Sequence, residues 1–130
     1  MPKYNLFDTP ILDWGASLST IKSKEYHDFE PQDNSTMIGY NYVKGGNSCA
    51  VFYYFKDDKL TFVDVYFDLL LFDKVTKHLL ERYTPLGTNG EIFLFADGYT
   101  KDKMTLLIGL QTRKISSTTL TCITYHPYEN

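Results

Sequence analysis

A helix signal followed by three strand signals occurs twice in this chain, over about residues 11–67 and again over about 68–128. That doubling constrains the fold more than any single motif does. Each half carries one amphipathic helix and a set of strands with an apolar face, and neither half can bury that face well alone. Joined, they predict an α+β domain: one antiparallel sheet of about six strands with two helices packed on one face. No Pro-, Gly- or Ser-rich linker separates the halves, because the strand at 60–67 runs almost straight into Asp68. Residues 1–130 are therefore expected to form a single domain.

In the first half, Trp14-Gly15-Ala16-Ser17 reads as a helix entry, with the Ser17 hydroxyl placed to accept a first-turn amide. Leu18, Ile21 and Phe29 then mark one face of a weak helix over 17–28, which Pro31 stops. Gln32-Asp33-Asn34-Ser35 reads as a polar loop. Strands follow at 37–43, 49–55 and 60–67, separated by turns at Lys44-Gly45-Gly46-Asn47 and Lys56-Asp57-Asp58-Lys59. In the second half, Asp68 is expected to cap a stronger helix whose Phe72, Val75, Thr76, Leu79, Leu80 and Tyr83 share a face. Thr84-Pro85-Leu86-Gly87 ends it. Strands are expected at 91–96, 104–111 and 118–125, with Asp97 to Asp102 as a turn and Thr112 to Ser117 as a loop.

Composition excludes several classes of function. Net charge is -3, and only Arg82 and Arg113 among 13 basic residues are arginines. The lysines are scattered among acids, whereas a nucleic-acid partner requires clustered positive charge. The longest apolar run, Leu69-Leu70-Leu71-Phe72, falls far short of the roughly 20 residues of a membrane span. The start, Met1-Pro2-Lys3-Tyr4, has no apolar signal region. A cytoplasmic location is expected, or an envelope or secreted one if a leader has been removed. Cys49 and Cys122 both lie in strand-like runs, where a cysteine acts as a small buried apolar residue; a disulfide between them is the alternative.

Catalytic and metal motifs are absent. His27, His78 and His126 stand at no metal-ligand spacing, and HExxH and GxSxG do not occur. His78 reads as a solvated residue, and His27 with Glu25 and Asp28 as the polar end of the first helix. Gly45-Gly46 and Gly87-x-x-Gly90 lack the Lys-Ser/Thr sequel of a phosphate loop. No cofactor is expected. The only acids inside strand runs are Asp64 and Glu91, and Asp64 interrupts an apolar strand, so it is the first place to look for chemistry.

Aromatic residues reach 16%, with 11 Tyr and 9 Phe. In the strand 49–55, Cys49, Val51, Tyr53 and Phe55 alternate with Ala50, Phe52 and Tyr54, so both faces are apolar. A sheet covered on one side only should alternate apolar with polar. Two readings follow. Tyr4-Asn5-Leu6-Phe7 covers the second face, or that face is open and Tyr40, Tyr42, Phe52 and Tyr54 bind a partner, a role in which tyrosine is enriched.

The segment Trp14-Gly15-Ala16-Ser17-x-x-x-Ile21-Lys22, followed by strands and a second helix ending at Tyr83, resembles a group of small αβββ-repeat bacterial envelope domains. These are the β-lactamase-inhibitor-protein-like modules and secreted domains of gut Bacteroidetes. The resemblance covers most of the chain and implies a binding or structural module rather than an enzyme. The sequence thus predicts a non-enzymatic interaction domain presenting a sheet face to a protein. Its rivals are a cytoplasmic immunity or inhibitor protein, for which Glu30, Asp33, Asp57 and Asp58 would have to gather, and a small enzyme with a pocket between helices and sheet.

Overall fold

A computed structural model describes residues 9–24, 32–34, 36–44, 47–98 and 104–128, with backbone alone at 32–34, 42–44 and 47–48. The order is α1 (Leu18–Lys24), β1 (Gln32–Asn34), β2 (Met37–Lys44), β3 (Asn47–Lys56), β4 (Lys59–Asp68), a 3-10 turn (Leu69–Leu71), α2 (Phe72–Arg82), β5 (Thr84–Asn89), β6 (Ile92–Ala96), β7 (Leu106–Ile115) and β8 (Thr118–Pro127). All strands join one antiparallel sheet in the order β1-β2-β3-β4-β8-β7-β6-β5. Each half is a meander, and the two meanders meet through their last strands, β4 and β8. The chain passes from β4 at the centre to β5 at the far edge by way of α2.

The sheet is larger than the six strands expected, because two segments read as punctuation are edge strands. Gln32–Asn34 pairs with Met37–Gly39 in a short hairpin. Thr84–Asn89 pairs with β6 despite Pro85 and Gly87, with a register break between those two residues and a φ of 108° at Gly87. Only an edge strand tolerates a residue without an amide hydrogen, and a bulge absorbs the glycine. The polar run Thr112 to Ser117 is likewise not a loop. It continues β7 to Ile115, and Ser116, at a φ of 55°, turns the chain into β8.

Pairing register sorts side chains into two faces. Directly opposed residues share a face, as in Ile38↔Tyr53↔Val63↔Tyr125↔Ile108↔Phe95 and Tyr40↔Val51↔Val65↔Ile123↔Leu110. These residues form the core, and Ile21 of α1 with Val75 and Leu79 of α2 pack against them. Both helices therefore lie on one face, as the sequence predicts. The segment leading into α1 packs there too. Ile11, Leu12, Trp14 and Ala16 lie against the core, and the Ile11 amide donates to the Tyr53 hydroxyl at 3.2 Å.

Local signals explain the helix starts unequally. The Ser17 hydroxyl accepts the Thr20 amide at 3.2 Å, the cap expected, and Asp58 Oδ1 accepts the Leu18 amide at 3.0 Å. Asp57 and Asp58 occupy a tight hairpin with φ of 52° and 56°, so the strain of two non-glycine left-handed residues is offset by a bond that ties the turn to α1. Residues 25–28 of the expected first helix lie outside the described residues. Asp68 does not cap α2. It remains in β4 opposite Leu120, makes no side-chain cap bond, and is separated from α2 by the 3-10 turn. Leu80 leaves the buried face expected of it and is 53% exposed, while Leu79 is fully buried.

Candidate functional site

The other face of the sheet carries Ala50, Phe52 and Tyr54 from β3, Phe62, Asp64 and Tyr66 from β4, Cys122, Thr124 and His126 from β8, and Gln111 and Arg113 from β7. No described helix covers it. Yet Asp64, Tyr66 and Cys122 at its centre are 3%, 7% and 0% exposed.

Asp64 is the hub. Its Oδ1 accepts the Thr124 hydroxyl at 2.6 Å, and its Oδ2 accepts Arg113 Nη1 at 3.2 Å. The same Nη1 donates to the Tyr66 hydroxyl at 2.6 Å, and the guanidinium lies 5.7 Å from the centre of the Tyr66 ring. One charged donor thus meets an acid and a phenol at once, the arrangement in which charge-assisted hydrogen bonds are strongest. Burial, then the nearby Cys122 and Asp64, push the Tyr66 phenol up to about 12. Burial also pushes the Cys122 thiol up to about 11, with Asp64 adding to the rise. Burial works against the Arg113 charge, but Cys122, the bond to Tyr66 and the Asp64 carboxylate together raise its pKa above the ordinary value. Of these three, the carboxylate is the partner with a full charge to offer, so it carries the effect.

Aromatic rings surround the hub. Phe52 meets Tyr66 edge-on at 5.7 Å, and Tyr54 stacks on Phe62 at 4.4 Å with planes 12° apart. The second pair exists because β4 carries a bulge. Tyr54 faces Phe62 while Phe55 faces Leu60, which leaves Thr61 as the extra residue, bonded through its hydroxyl to the Tyr54 carbonyl at 3.1 Å. The first pair depends on Gly39, opposite Phe52. A Cβ there would stand 2.5 Å from the Phe52 ring. Beyond Phe62, an open groove of about 600 Å³ is lined by Thr61, Leu107, Thr124, His126, Pro127 and Tyr128. Burial lowers the pKa of His126 in that groove, and Asp64 partly opposes the shift.

The four aromatic residues picked from the sequence are divided by this geometry. Phe52 and Tyr54 are on the open face. Tyr40 is not. Its register with Val51 places it on the core face at 3% exposure, edge-on to Tyr53 at 6.5 Å, so it is packing beneath the helices rather than a contact surface. The side chain of Tyr42 lies outside the described residues, as do Tyr4 to Phe7, which were read as a cover for this face. Cys49 faces the core and Cys122 the open face, so no disulfide joins them. Asp64 is central, but on the side of the sheet away from the helices, not in a helix–sheet pocket. Glu91 is exposed in the turn before β6. Asp58 is committed to α1, and Glu30 and the Asp33 side chain lie outside the described residues.

The sequence does not single out Phe62, Tyr66, Arg113, Thr124 or His126 as site residues. Arg113 lies in the run Thr112 to Ser117, which reads as a loop but continues β7, and His126 lies at the end of β8. The β-branched residues Thr112, Ile115, Thr118, Thr119 and Thr121 are the signal that the run holding Arg113 is strand. Among the described residues no group of three His, Cys, Asp or Glu side chains is arranged to hold a metal, and no helix is long and apolar enough to cross a membrane. No family model matches this chain, and no curated protein and no solved structure is significantly similar to it.

Proposed function

We propose that this chain is a binding module that presents the open face of its sheet to a protein partner. The observation that carries this reading is the stacked Tyr54–Phe62 pair, held outward by a bulge, with Phe62 36% exposed beside a groove. A fold that needed only a wet face would place polar residues there. Rigid aromatic rings around a buried carboxylate and its half-buried arginine are instead the composition of an interface anchor. The helix-then-meander order, run twice, fits two units facing each other across β4 and β8.

The test compares faces. Partners captured by the full chain are identified and purified, and their affinity is then titrated against two variants. The double substitution of Tyr54→Ser and Phe62→Ser should weaken binding at least about 30-fold, the loss of a pair of anchor residues. Leu80→Ser, on the exposed side of α2, should leave it unchanged. Loss through Leu80→Ser alone would move the interface to the helical side.

A further inference from the structure

The proposed surface contains one charged group that is only half used. Arg113 spends Nη1 on both Asp64 and Tyr66, while Nε–H and the two Nη2–H donors meet no partner among the described residues. The pair is also asymmetric in exposure: the Arg113 side chain is 36% exposed and that of Asp64 is 4%. Asp64 and the Tyr66 hydroxyl therefore hold the guanidinium through Nη1, and its other edge meets no partner among the described residues. That edge, Nε with Nη2, is the side-on fork that pairs two-for-two with the oxygens of a planar acid. Holding it in place beforehand removes the rotamer entropy that a surface arginine would lose on binding.

We infer that Arg113 is the contact point for a carboxylate borne by an acidic side chain of the protein partner, docked against the Phe52 edge of the open face. This rests on the binding reading above. Charge decides for a carboxylate over a phosphate. Asp64 already matches the Arg113 charge, and a doubly charged phosphate is held by clusters of basic side chains, whereas a single carboxylate fits one pre-bonded fork. Asp68 lies on the same face, two strands away in the row Asp68↔Leu120↔Arg113, and is a second described acid there that opposes the incoming charge, besides the Asp64 already bonded to Arg113.

The chain has only two arginines, so its Nε–Hε spectrum consists of two signals, Arg82 and Arg113. Sodium benzoate is titrated into the full ¹⁵N-labelled protein at constant ionic strength, with benzamide and inorganic phosphate as comparisons. The Arg113 signal should move saturably with benzoate, with a Kd on the order of millimolar for so small a probe, and should not saturate with benzamide. Asp68→Asn should tighten benzoate about twofold by removing a like charge at that distance. Arg113→Lys keeps the charge opposite Asp64 and so protects the fold, but lacks the planar fork. It should weaken benzoate at least about tenfold, read at the Gln111 and Leu120 amides. Equal linear shifts of both arginines, tighter binding of phosphate than of benzoate, or undiminished affinity in Arg113→Lys would each overturn the inference. If partner affinity depends on Tyr54 and Phe62 while benzoate does not saturate, this inference alone fails. If benzoate saturates but no protein's affinity depends on the open face, the protein occupant is overturned together with the binding reading.

Discussion

Asp64 shows how one residue can organise a face that its sequence context does not advertise. Its carboxylate is nearly fully buried and its cation is not, so the two members of the pair differ in what their loss leaves behind. Arg113→Ala strands a buried acid with Thr124 as its one remaining side-chain donor among the described residues. It should cost about 3 kcal/mol, the low end for breaking a buried pair because the guanidinium is partly solvated. Asp64→Asn leaves an arginine that water can reach and should cost about 1 kcal/mol. Urea unfolding of both variants checks the order, and a larger cost for Asp64→Asn would show that the guanidinium, not the acid, is the desolvated partner. His126 gives a second residue-level expectation. Burial holds its folded pKa below the ordinary value, so the unfolded chain takes up a proton first as pH falls. Its contribution is therefore intact above the unfolded value of about 6.5 and is lost as pH falls from there through the lower folded value. Stability measured from pH 7.5 to pH 5 should decline, and His126→Asn should flatten that decline.

At the scale of elements, α2 and β2 hold the clearest tests. Leu79 is fully buried and its neighbour Leu80 is 53% exposed. Leu79→Ala should cost about 2–5 kcal/mol through the cavity it leaves, and Leu80→Ala less than about 0.5 kcal/mol. Equal costs would mean that α2 is rotated from the register seen here. Gly39 lies in β2 because the Phe52 ring lies across it. Gly39→Ala should push the ring off Tyr66 at a cost of about 1–3 kcal/mol. The upfield ring-current shifts of the Tyr66 protons should disappear with it, and their persistence would show that the strand moves instead of the ring. The strong helix was legible from the spacing of Val75 and Leu79, and the β3–β4 hairpin from Lys56-Asp57-Asp58-Lys59 between two apolar runs. β1, β5 and the outer part of β7 were not legible. Edge strands bury little, so Gln32-Asp33-Asn34, Thr84-Pro85-Leu86-Gly87 and Thr112 to Ser117 carry the polar and turn-forming residues of loops, and it is the neighbouring strand that makes them sheet.

Across the whole molecule, the seam between β4 and β8 joins two meanders into a single sheet over one core. Val63, Val65, Ile123 and Tyr125 meet there beneath both helices. Splitting the chain at this seam would expose the apolar row of each half, so the halves should not fold separately. Unfolding by urea should be one transition, coincident in far-UV and near-UV circular dichroism. Cys49 and Cys122, at 3% and 0% exposure on opposite faces of the sheet, should become reactive to a thiol reagent together and only with that global event. Separate labelling of Cys122 at low urea would show that the open face opens before the core.

The sequence by itself determined the α+β class, the two helices and the apolar rows of the inner strands. All of these follow from periodicity within a single segment, and periodicity is a local property that burial of one face imposes on the chain. It also pointed to Asp64, since an acid inside an apolar strand needs a partner. The tertiary structure alone decided which partner. Arg113 is 49 residues away along the chain, and it reaches Asp64 only because β4 and β8 lie side by side with β7 beyond them. The same pairing sent Tyr40 to the core and Phe52 to the open face. Side chains alternate along every strand, so the face of each is set by the register of its neighbours across the sheet, and no single strand carries that information.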